Sequence, residues 1–175
     1  GPQLRVGAYG ALGGAHALAG EWQEAIEAWS LVLRTMRETG TGLFLEAQRL
    51  GNLAEARLQV GDRSGARRDV ERAVALARER QALTGLARVL VARAAVLRHE
   101  GELEAAAADL SEADELIAYT AARAFEPIAQ LERAALAELR GDSGAGRQAL
   151  AAARAIWVEM RATARVAAAD VLLAR

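Results

Sequence analysis

Four short segments recur along this chain at an almost constant interval. Each segment begins with a glycine that is followed by an acidic residue, and a small residue comes five positions after the glycine. The glycines are Gly20, Gly61, Gly101 and Gly141, which are 41, 40 and 40 residues apart. A fixed period of this length is typical of arrays in which each unit buries its apolar face against the next unit.

The residues around each glycine indicate two helices joined by a tight turn. Glycine tolerates the left-handed conformation in which many helices end, and the acidic residue suits the start of a new helix. That helix then carries a small residue, a large one four positions later and a third residue three positions beyond, all on one face. The four sets are Ala25, Trp29 and Val32; Ala66, Val70 and Ala73; Ala106, Leu110 and Ala113; Gly146, Leu150 and Ala153. Small residues that would let a neighbouring helix approach closely lie seven positions before the glycines: Gly13, Ala54, Ala94 and Ala134.

The same periodicity predicts an all-α chain with nine helices in one domain, residues 1–175. Alanine and leucine dominate its apolar residues, and Pro2 and Pro127 are its only prolines. The predicted helices span 4–18, 22–38, 43–60, 63–80, 83–100, 102–118, 122–140, 143–160 and 162–174. They form units of about 4–40, 43–80, 83–120 and 122–160, and the helix at 162–174 has the register of a fifth unit. We interpret Gly1-Pro2 as a protease-cleavage scar and the chain as an excised part of a larger protein.

These residues resemble tetratricopeptide repeats. The small residue followed by a large one, together with the turn glycine, matches the family pattern in all four units and across residues 4–175. The resemblance implies an α-solenoid of antiparallel helix hairpins with a right-handed superhelical twist, whose concave groove is lined by the first helix of each unit. The family period is about 34 residues, so the longer period here predicts helices that are longer by about a turn. Long-period arrays of this kind resemble those of bacterial signal-transduction ATPases, transcriptional activators and nucleotide cyclases.

The resemblance also implies a function. We expect a non-enzymatic scaffold that holds a peptide or helix of a partner protein, or another domain of the parent chain, within a cytoplasmic bacterial protein of signalling or transcription regulation. One alternative is an effector-sensing domain that binds a small molecule and regulates an attached ATPase, cyclase or DNA-binding domain. Another is a self-assembly module, a homo-oligomer formed through the solenoid ends, where Leu4, Val6 and Tyr9 would meet a second copy.

Composition argues against several other classes. A net charge of −1 with interspersed signs gives no electrostatic footprint for nucleic acid or for a membrane surface. No apolar run reaches the roughly 20 residues that a membrane span needs. The absence of cysteine excludes disulfides, thiolate chemistry and cysteine-based zinc sites. His16 and His99 lie in different units without partners at ligand spacing, so we expect no metal, no cofactor and no catalytic activity.

The family register places a set of first-helix residues on the concave surface. They are Gly7, Gly10, Gly14, Gln48, Gly51, Glu55, Gln59, Arg88, Val91, Arg98, Leu131 and Glu138. Gly7, Gly10 and Gly14 follow helical spacing, and Gly51 aligns with Gly10 in the next unit. Each glycine costs a helix about 1 kcal/mol relative to alanine. Either a partner therefore approaches this backbone closely, or the first helix is a frayed end.

Arginines near this surface allow two interpretations. Arg93 and Arg133 occupy equivalent positions on successive first helices, with Arg88 and Arg98 nearby, and together they could receive an acidic peptide or a terminal carboxylate. Alternatively Arg93 and Arg133 pair with local acids such as Glu132 and bury their aliphatic stems. We favour local pairing.

The three tryptophans stand out in a chain that is only 4% aromatic. Trp29 and Trp157 lie in second helices, Trp29 at the large core position, so we expect both to fill gaps between alanine-rich helices. Trp22 directly follows a turn and is predicted to be partly exposed. It is the tryptophan that we expect to contact a partner.

Overall fold

The computed structural model, which describes residues 1–174, contains nine α-helices. They are α1 (Pro2–Ala19), α2 (Trp22–Thr39), α3 (Glu46–Gln59), α4 (Arg63–Glu79), α5 (Leu83–Glu100), α6 (Leu103–Thr120), α7 (Glu126–Leu139), α8 (Ser143–Glu159) and α9 (Thr163–Leu173). We call the odd-numbered helices first helices and the even-numbered ones second helices. The predicted all-α class is confirmed. None of these nine helices is long and apolar enough to cross a membrane.

The predicted helices differ from the structure mainly at two starts. The sequence predicts single helices at 43–60 and 122–140, whereas each of these segments opens with a 3₁₀ turn, at Leu43–Leu45 and Arg123–Phe125. The α-helical part then begins at Glu46 or Glu126. In α7, Pro127 lies in the first turn, where its missing N–H removes no helical hydrogen bond.

The four turn glycines adopt the left-handed conformation that the sequence predicts. Their φ angles lie between 75° and 83°, and the acidic residue after each glycine is the N-cap of the following second helix. Asp62 Oδ1 accepts a hydrogen bond of 2.9 Å from the backbone N–H of Gly65, and Asp142 makes the equivalent bond. Glu21 and Glu102 make no such bond, because the capping geometry favours the shorter aspartate side chain.

Consecutive helices pack as antiparallel hairpins that follow one another in sequence order. The first and second helices of each unit form the most extensive contacts, and each second helix also packs against the first helix of the next unit. The first helices α3 and α5 pack directly on each other, while α5 and α7 touch over a smaller region. The architecture is therefore solenoid-like, as predicted, and the right-handed twist stays a prediction.

Small residues lie where helices approach one another most closely. Ala54 and Ala94 are buried, and a Cβ added to Gly13 would lie 2.5 Å from the indole Nε1 of Trp29. Trp29 and Trp157 are both buried, as the sequence predicts. The helix α5 lies at the centre of the array and is buried on almost every side. Packing of hairpin on hairpin therefore builds the core.

Candidate functional site: a groove along the first helices

A groove with a volume of about 420 Å³ takes side chains from α1, α3, α5, α7 and α9. Because the first helices follow one another through the array, residues from all five units meet here. We call it the first-helix groove. Its lining residues are Gly14, Ala17, Leu18, Trp22, Trp29, Asn52, Glu55, Ala56, Leu58, Gln59, Arg88, Ala95, Arg98, His99, Glu132 and Arg165.

One part of the first-helix groove is apolar. Leu18, near the end of α1, is 75% exposed, and Trp22 at the start of α2 is half-buried. Trp29 contributes a buried surface beneath them, and its Nε1 has no hydrogen-bond partner within residues 1–174. An exposed leucine beside an indole offers a place for an apolar side chain, since aromatic groups supply much of the contact area in recognition sites.

Ion pairs between successive first helices form the polar part of the groove. Arg88 Nη1 donates to Glu55 Oε1 at 2.9 Å, which links α5 to α3. Arg98 Nε donates to Glu132 Oε2 at 2.9 Å, which links α5 to α7. Burial alone would lower the pKa of Arg88, but attraction to the Glu55 carboxylate outweighs burial and raises this pKa. The two pairs join three hairpins. Within each pair, the arginine and the glutamate neutralise each other's charge.

Other polar groups in the groove have hydrogen-bonding capacity left for a ligand. Gln59 is exposed, and Asn52 makes one long contact of 3.4 Å from Arg88 Nη2. Burial, followed by repulsion from Arg98, lowers the pKa of His99, so its imidazole is neutral at pH 7. Amide and imidazole groups both donate and accept hydrogen bonds. They match the N–H and C=O groups of a peptide main chain.

Five of the twelve predicted surface residues come together in this groove, namely Gly14, Glu55, Gln59, Arg88 and Arg98. The remaining seven lie elsewhere. Val91 and Gly51 are buried, and Leu131 and Glu138 line a separate hollow beside α8. Gly7, Gly10 and Gln48 lie outside the groove.

The physical reason for this difference is the stacking of first helices. Gly51 lies ten residues before its turn glycine, and a Cβ added to it would lie 3.5 Å from the Val89 side chain of α5. Gly10 occupies the same position in α1 and faces Arg49 of α3. Val91, one period after Gly51, is likewise completely buried. This position therefore faces the next first helix rather than solvent.

The glycine stripe divides into two kinds of position. A Cβ at Gly10 would lie 3.0 Å from Arg49 Nη2, so a side chain of the next unit occupies the space that a larger residue would need. Burial lowers the pKa of Arg49, and its Nε has no hydrogen-bond partner within residues 1–174. Gly7 and Gly14 have nothing within 4 Å of an added Cβ. Internal packing therefore limits the size of the residue at positions 10 and 51, whereas nothing limits it at Gly7 and Gly14.

Local pairing, the favoured interpretation of two arginines, is confirmed with different partners. Arg93 donates through Nε and Nη2 to the two oxygens of Asp109, both at 2.7 Å. Arg133 pairs with Asp114. Glu132, which the sequence suggested as a partner, binds Arg98 instead. Both carboxylates belong to the second helix that precedes or follows each arginine, a contact that sequence spacing alone does not identify.

Sequence reasoning missed part of the groove although a signal for it was present. Leu18, Gln59 and His99 each lie two residues before a turn glycine, and all three line the groove. Only Gln59 was among the predicted residues. A search for equivalent positions in successive units would have found the other two.

No family model and no curated protein matches the chain. The likeness to tetratricopeptide repeats therefore depends on the period, the turn glycines and the small residues. The structure itself shows an all-helical array of paired antiparallel helices.

Proposed function

We propose that this chain is a tetratricopeptide-type interaction module that holds an extended peptide segment of a partner in the first-helix groove. The observation that carries the proposal is that one groove collects side chains from all five first helices. The partner segment belongs to another protein or to another domain of the parent chain. In this proposal the parent is a cytoplasmic bacterial protein of regulation or signalling.

The lining of the groove supports a peptide as the ligand. Apolar contact at Leu18 and Trp22 would receive one side chain, while Asn52, Gln59 and His99 would bond the main chain. Recognition sites commonly combine an aromatic contact with polar groups that fix orientation. The combination predicts a peptide with one large apolar residue.

The ion pairs argue against an acidic ligand. Arg88 and Arg98 already bind Glu55 and Glu132, so an incoming carboxylate would have to displace a glutamate. Separating a buried pair leaves an uncompensated charge, which is strongly unfavourable. An acidic group of the peptide is therefore disfavoured at Arg88 and Arg98.

The test is selection of binding peptides from a random peptide library. We expect selected peptides to share one large apolar residue and to bind with a one-to-one ratio in calorimetry. Leu18→Asp should weaken binding by about tenfold or more, because it removes an apolar contact worth roughly 1.5–3 kcal/mol.

A matched control lies on the same helix. Leu4 is 75% exposed, as is Leu18, and lies outside the groove. Leu4→Asp should leave peptide affinity unchanged. If both variants bind selected peptides as well as the unmodified protein does, the groove is not the binding site.

A second candidate function is effector sensing. Its support is the groove volume of about 420 Å³, which lies within the roughly 300–1,000 Å³ of small-molecule sites. A metabolite that binds the folded state raises the midpoint of thermal unfolding. Stabilisation by one compound of a metabolite panel, abolished by Leu18→Asp and kept by Leu4→Asp, would favour this function over peptide binding.

A third candidate function is self-assembly. Exposed apolar residues favour it at the α9 end of the array more than at the α1 end. Val171 and Leu172 of α9 are largely exposed, and Leu4 is exposed at the start of α1. Val6, which the sequence suggested as an end contact, is buried against α2, and Tyr9 is half-buried. An end-to-end dimer would give a mass that rises with concentration in light scattering, and Val171→Asp would abolish that rise.

A further inference from the structure

Each pair of consecutive second helices encloses a cleft over the first helix between them. The three clefts lie between α2 and α4, between α4 and α6, and between α6 and α8. Because the sequence repeats every 40 or 41 residues, each cleft has the same positions filled by different side chains. The clefts can therefore be compared position by position.

In the α4–α6 cleft, arginines meet carboxylates. Arg93 of α5 donates to both oxygens of Asp109 at 2.7 Å and to Glu71 at 3.3 Å. Arg78 of α4 donates through Nη2 to both oxygens of Glu112, at 2.9 and 3.0 Å. The positive charge of this cleft is neutralised by side chains of the chain itself.

In the α2–α4 cleft, two of these carboxylates are replaced. Its equivalent residues one period earlier are Ser30 for Glu71, Arg72 for Glu112 and Arg37 for Arg78. All three line the cleft. Leu53 stands where Arg93 does, so the loss of the Glu71 carboxylate accompanies the loss of its partner. The replacement of Glu112 by Arg72 is different, because the Arg78–Glu112 pair of the next cleft is here two arginines, Arg37 and Arg72.

Four guanidinium groups consequently line the α2–α4 cleft, which has a volume of about 310 Å³. They belong to Arg37, Arg57, Arg68 and Arg72, and one carboxylate, that of Asp69, lies among them. Arg37, Arg68 and Arg72 are exposed, so water can solvate them, and together they present a surplus of positive charge to an anion.

Nearby acids account for two of the four arginines. Arg37 Nε donates to Glu46 at 2.8 Å. Arg57 Nη1 donates to Asp62 at 2.7 Å, and its Nε lies 3.0 Å from Asp69 without hydrogen-bond alignment. These contacts leave the Nη groups of Arg37 without a hydrogen bond to residues 1–174.

The charge of Arg72 is left over, and that of the exposed Arg68 is offset only by a long contact with Asp69. Arg68 reaches Asp69 at 3.3 Å, and Arg72 forms no ion pair within residues 1–174. The two lie one turn apart on α4, where like charges repel by roughly 0.2–0.5 kcal/mol. The α2–α4 cleft therefore holds positive charge that the described chain does not compensate.

We propose that the α2–α4 cleft is a binding site for a phosphoryl group, carried as free phosphate or as a phosphate monoester. Its oxygens take the place that the carboxylates of Glu71 and Glu112 hold in the next cleft. Arg37, Arg68 and Arg72 donate to these oxygens, since guanidinium groups bind phosphate through paired N–H donors. The Ser30 hydroxyl donates a further hydrogen bond.

The α6–α8 cleft supplies an internal comparison. It keeps the serine, as Ser111, but has Gln148 and Ala152 where the α2–α4 cleft has Arg68 and Arg72. It therefore lacks the guanidinium groups of Arg68 and Arg72. This comparison indicates which substitutions remove the site and leave the fold intact.

The experiment is calorimetric titration at low ionic strength with inorganic phosphate. A second titration uses a short peptide in which one phosphoserine is the only charged residue. We expect saturable one-to-one binding. Arg72→Glu, which copies Glu112, should weaken binding by about tenfold or more, because a hydrogen bond to a charged group contributes roughly 1.5–3 kcal/mol. Equal affinities would identify free phosphate as sufficient, and a tighter peptide would identify a phosphorylated chain as the source.

Two further variants keep the test decisive. Arg68→Gln combined with Arg72→Ala copies the α6–α8 cleft, and it should abolish binding even if Arg72→Glu fails to fold. Arg147→Glu changes the net charge as Arg72→Glu does, on exposed α8 surface outside the cleft, and should keep the affinity. The proposal would be overturned if the unmodified protein showed no saturable binding at millimolar phosphate. Equal affinity in the unmodified protein and all three variants would also overturn it.

Discussion

The same residue at the same position of the repeat has opposite surroundings in the middle and at the end of this array. Val91 in α5 and Val171 in α9 are separated by two periods of 40 residues, and Val91 lies ten residues before the turn glycine Gly101. Val91 is completely buried, in a cluster that includes Ala129 of α7, whereas Val171 is 60% exposed. Val91 packs against neighbouring helices on both sides, whereas the described residues place no further helix over Val171.

A second pair of equivalent residues, at the α1 end of the array, shows the same difference in burial. Leu12 in α1 and Leu53 in α3 are equivalent, eight residues before their turn glycines. Leu53 is 4% exposed and Leu12 is 45% exposed. Burial in a solenoid is therefore a property of neighbouring units as much as of the unit's own sequence. The middle and the ends should respond differently to the same substitution.

The largest difference is expected for a buried charge. Val91→Asp places an unpaired carboxylate in the central cluster and should lower the free energy of unfolding by more than about 4 kcal/mol. Val171→Asp should change it by less than about 0.5 kcal/mol, as surface substitutions do. Urea unfolding followed by circular dichroism compares the two variants. Similar losses in both would mean that another part of the chain or a second copy covers α9.

Truncation of the two leucines should also have different effects, because it leaves a cavity only where the side chain is buried. Leu53→Ala removes a buried side chain and should cost about 2–5 kcal/mol. Leu12→Ala should cost less than about 1 kcal/mol, because much of the side chain is already in water. The measurement is again the urea midpoint at constant slope. A loss at Leu12 as large as that at Leu53 would contradict the exposed position of α1.

The sequence predicts the architecture well because each element has a local cause. The period, the turn glycines and the acidic N-caps identify the hairpins, and a small residue such as Gly13 identifies a close helix contact. The groove was predicted less well. The sequence predicts Gly51 and Val91 on the concave surface, but both are buried because this position faces the next first helix. Which face of a first helix stacks depends on how hairpins lie against one another. The repeat pattern alone does not contain that relation.

Ion pairs extend the comparison to charged residues. Arg88 lies buried in the middle of the array, and Arg88→Ala leaves Glu55 without its partner. Since Glu55 is partly exposed and can rehydrate, we expect a loss of about 1–3 kcal/mol. Arg154 forms an exposed pair with Asp170 at the end of the array, and Arg154→Ala should produce no measurable change. Thermal unfolding at two salt concentrations tests both variants, and a larger loss at Arg154 would reverse the expected order.

Contacts inside a hairpin should be as tight at the end as in the middle. Gly13→Ala puts a methyl group 2.5 Å from Nε1 of Trp29, so the indole must move. We expect a loss of about 1–3 kcal/mol, as for other overpacked sites, and a shift of tryptophan fluorescence. An unchanged midpoint and spectrum would mean that α1 is not held against α2 as the structure shows.

The smallest effect is expected with the opposite sign, one residue further on. A Cβ added to Gly14 meets nothing within 4 Å, so Gly14→Ala should raise the free energy of unfolding by about 0.5–1 kcal/mol through the better helix propensity of alanine. Gly7→Ala should do the same, and urea unfolding measures both. Gly14 lines the first-helix groove and Gly7 does not. If a bound peptide approaches the bare backbone, Gly14→Ala will stabilise the fold and weaken peptide binding, whereas Gly7→Ala will only stabilise it. Equal peptide affinity in both variants would assign the open glycines to the end of the array rather than to recognition.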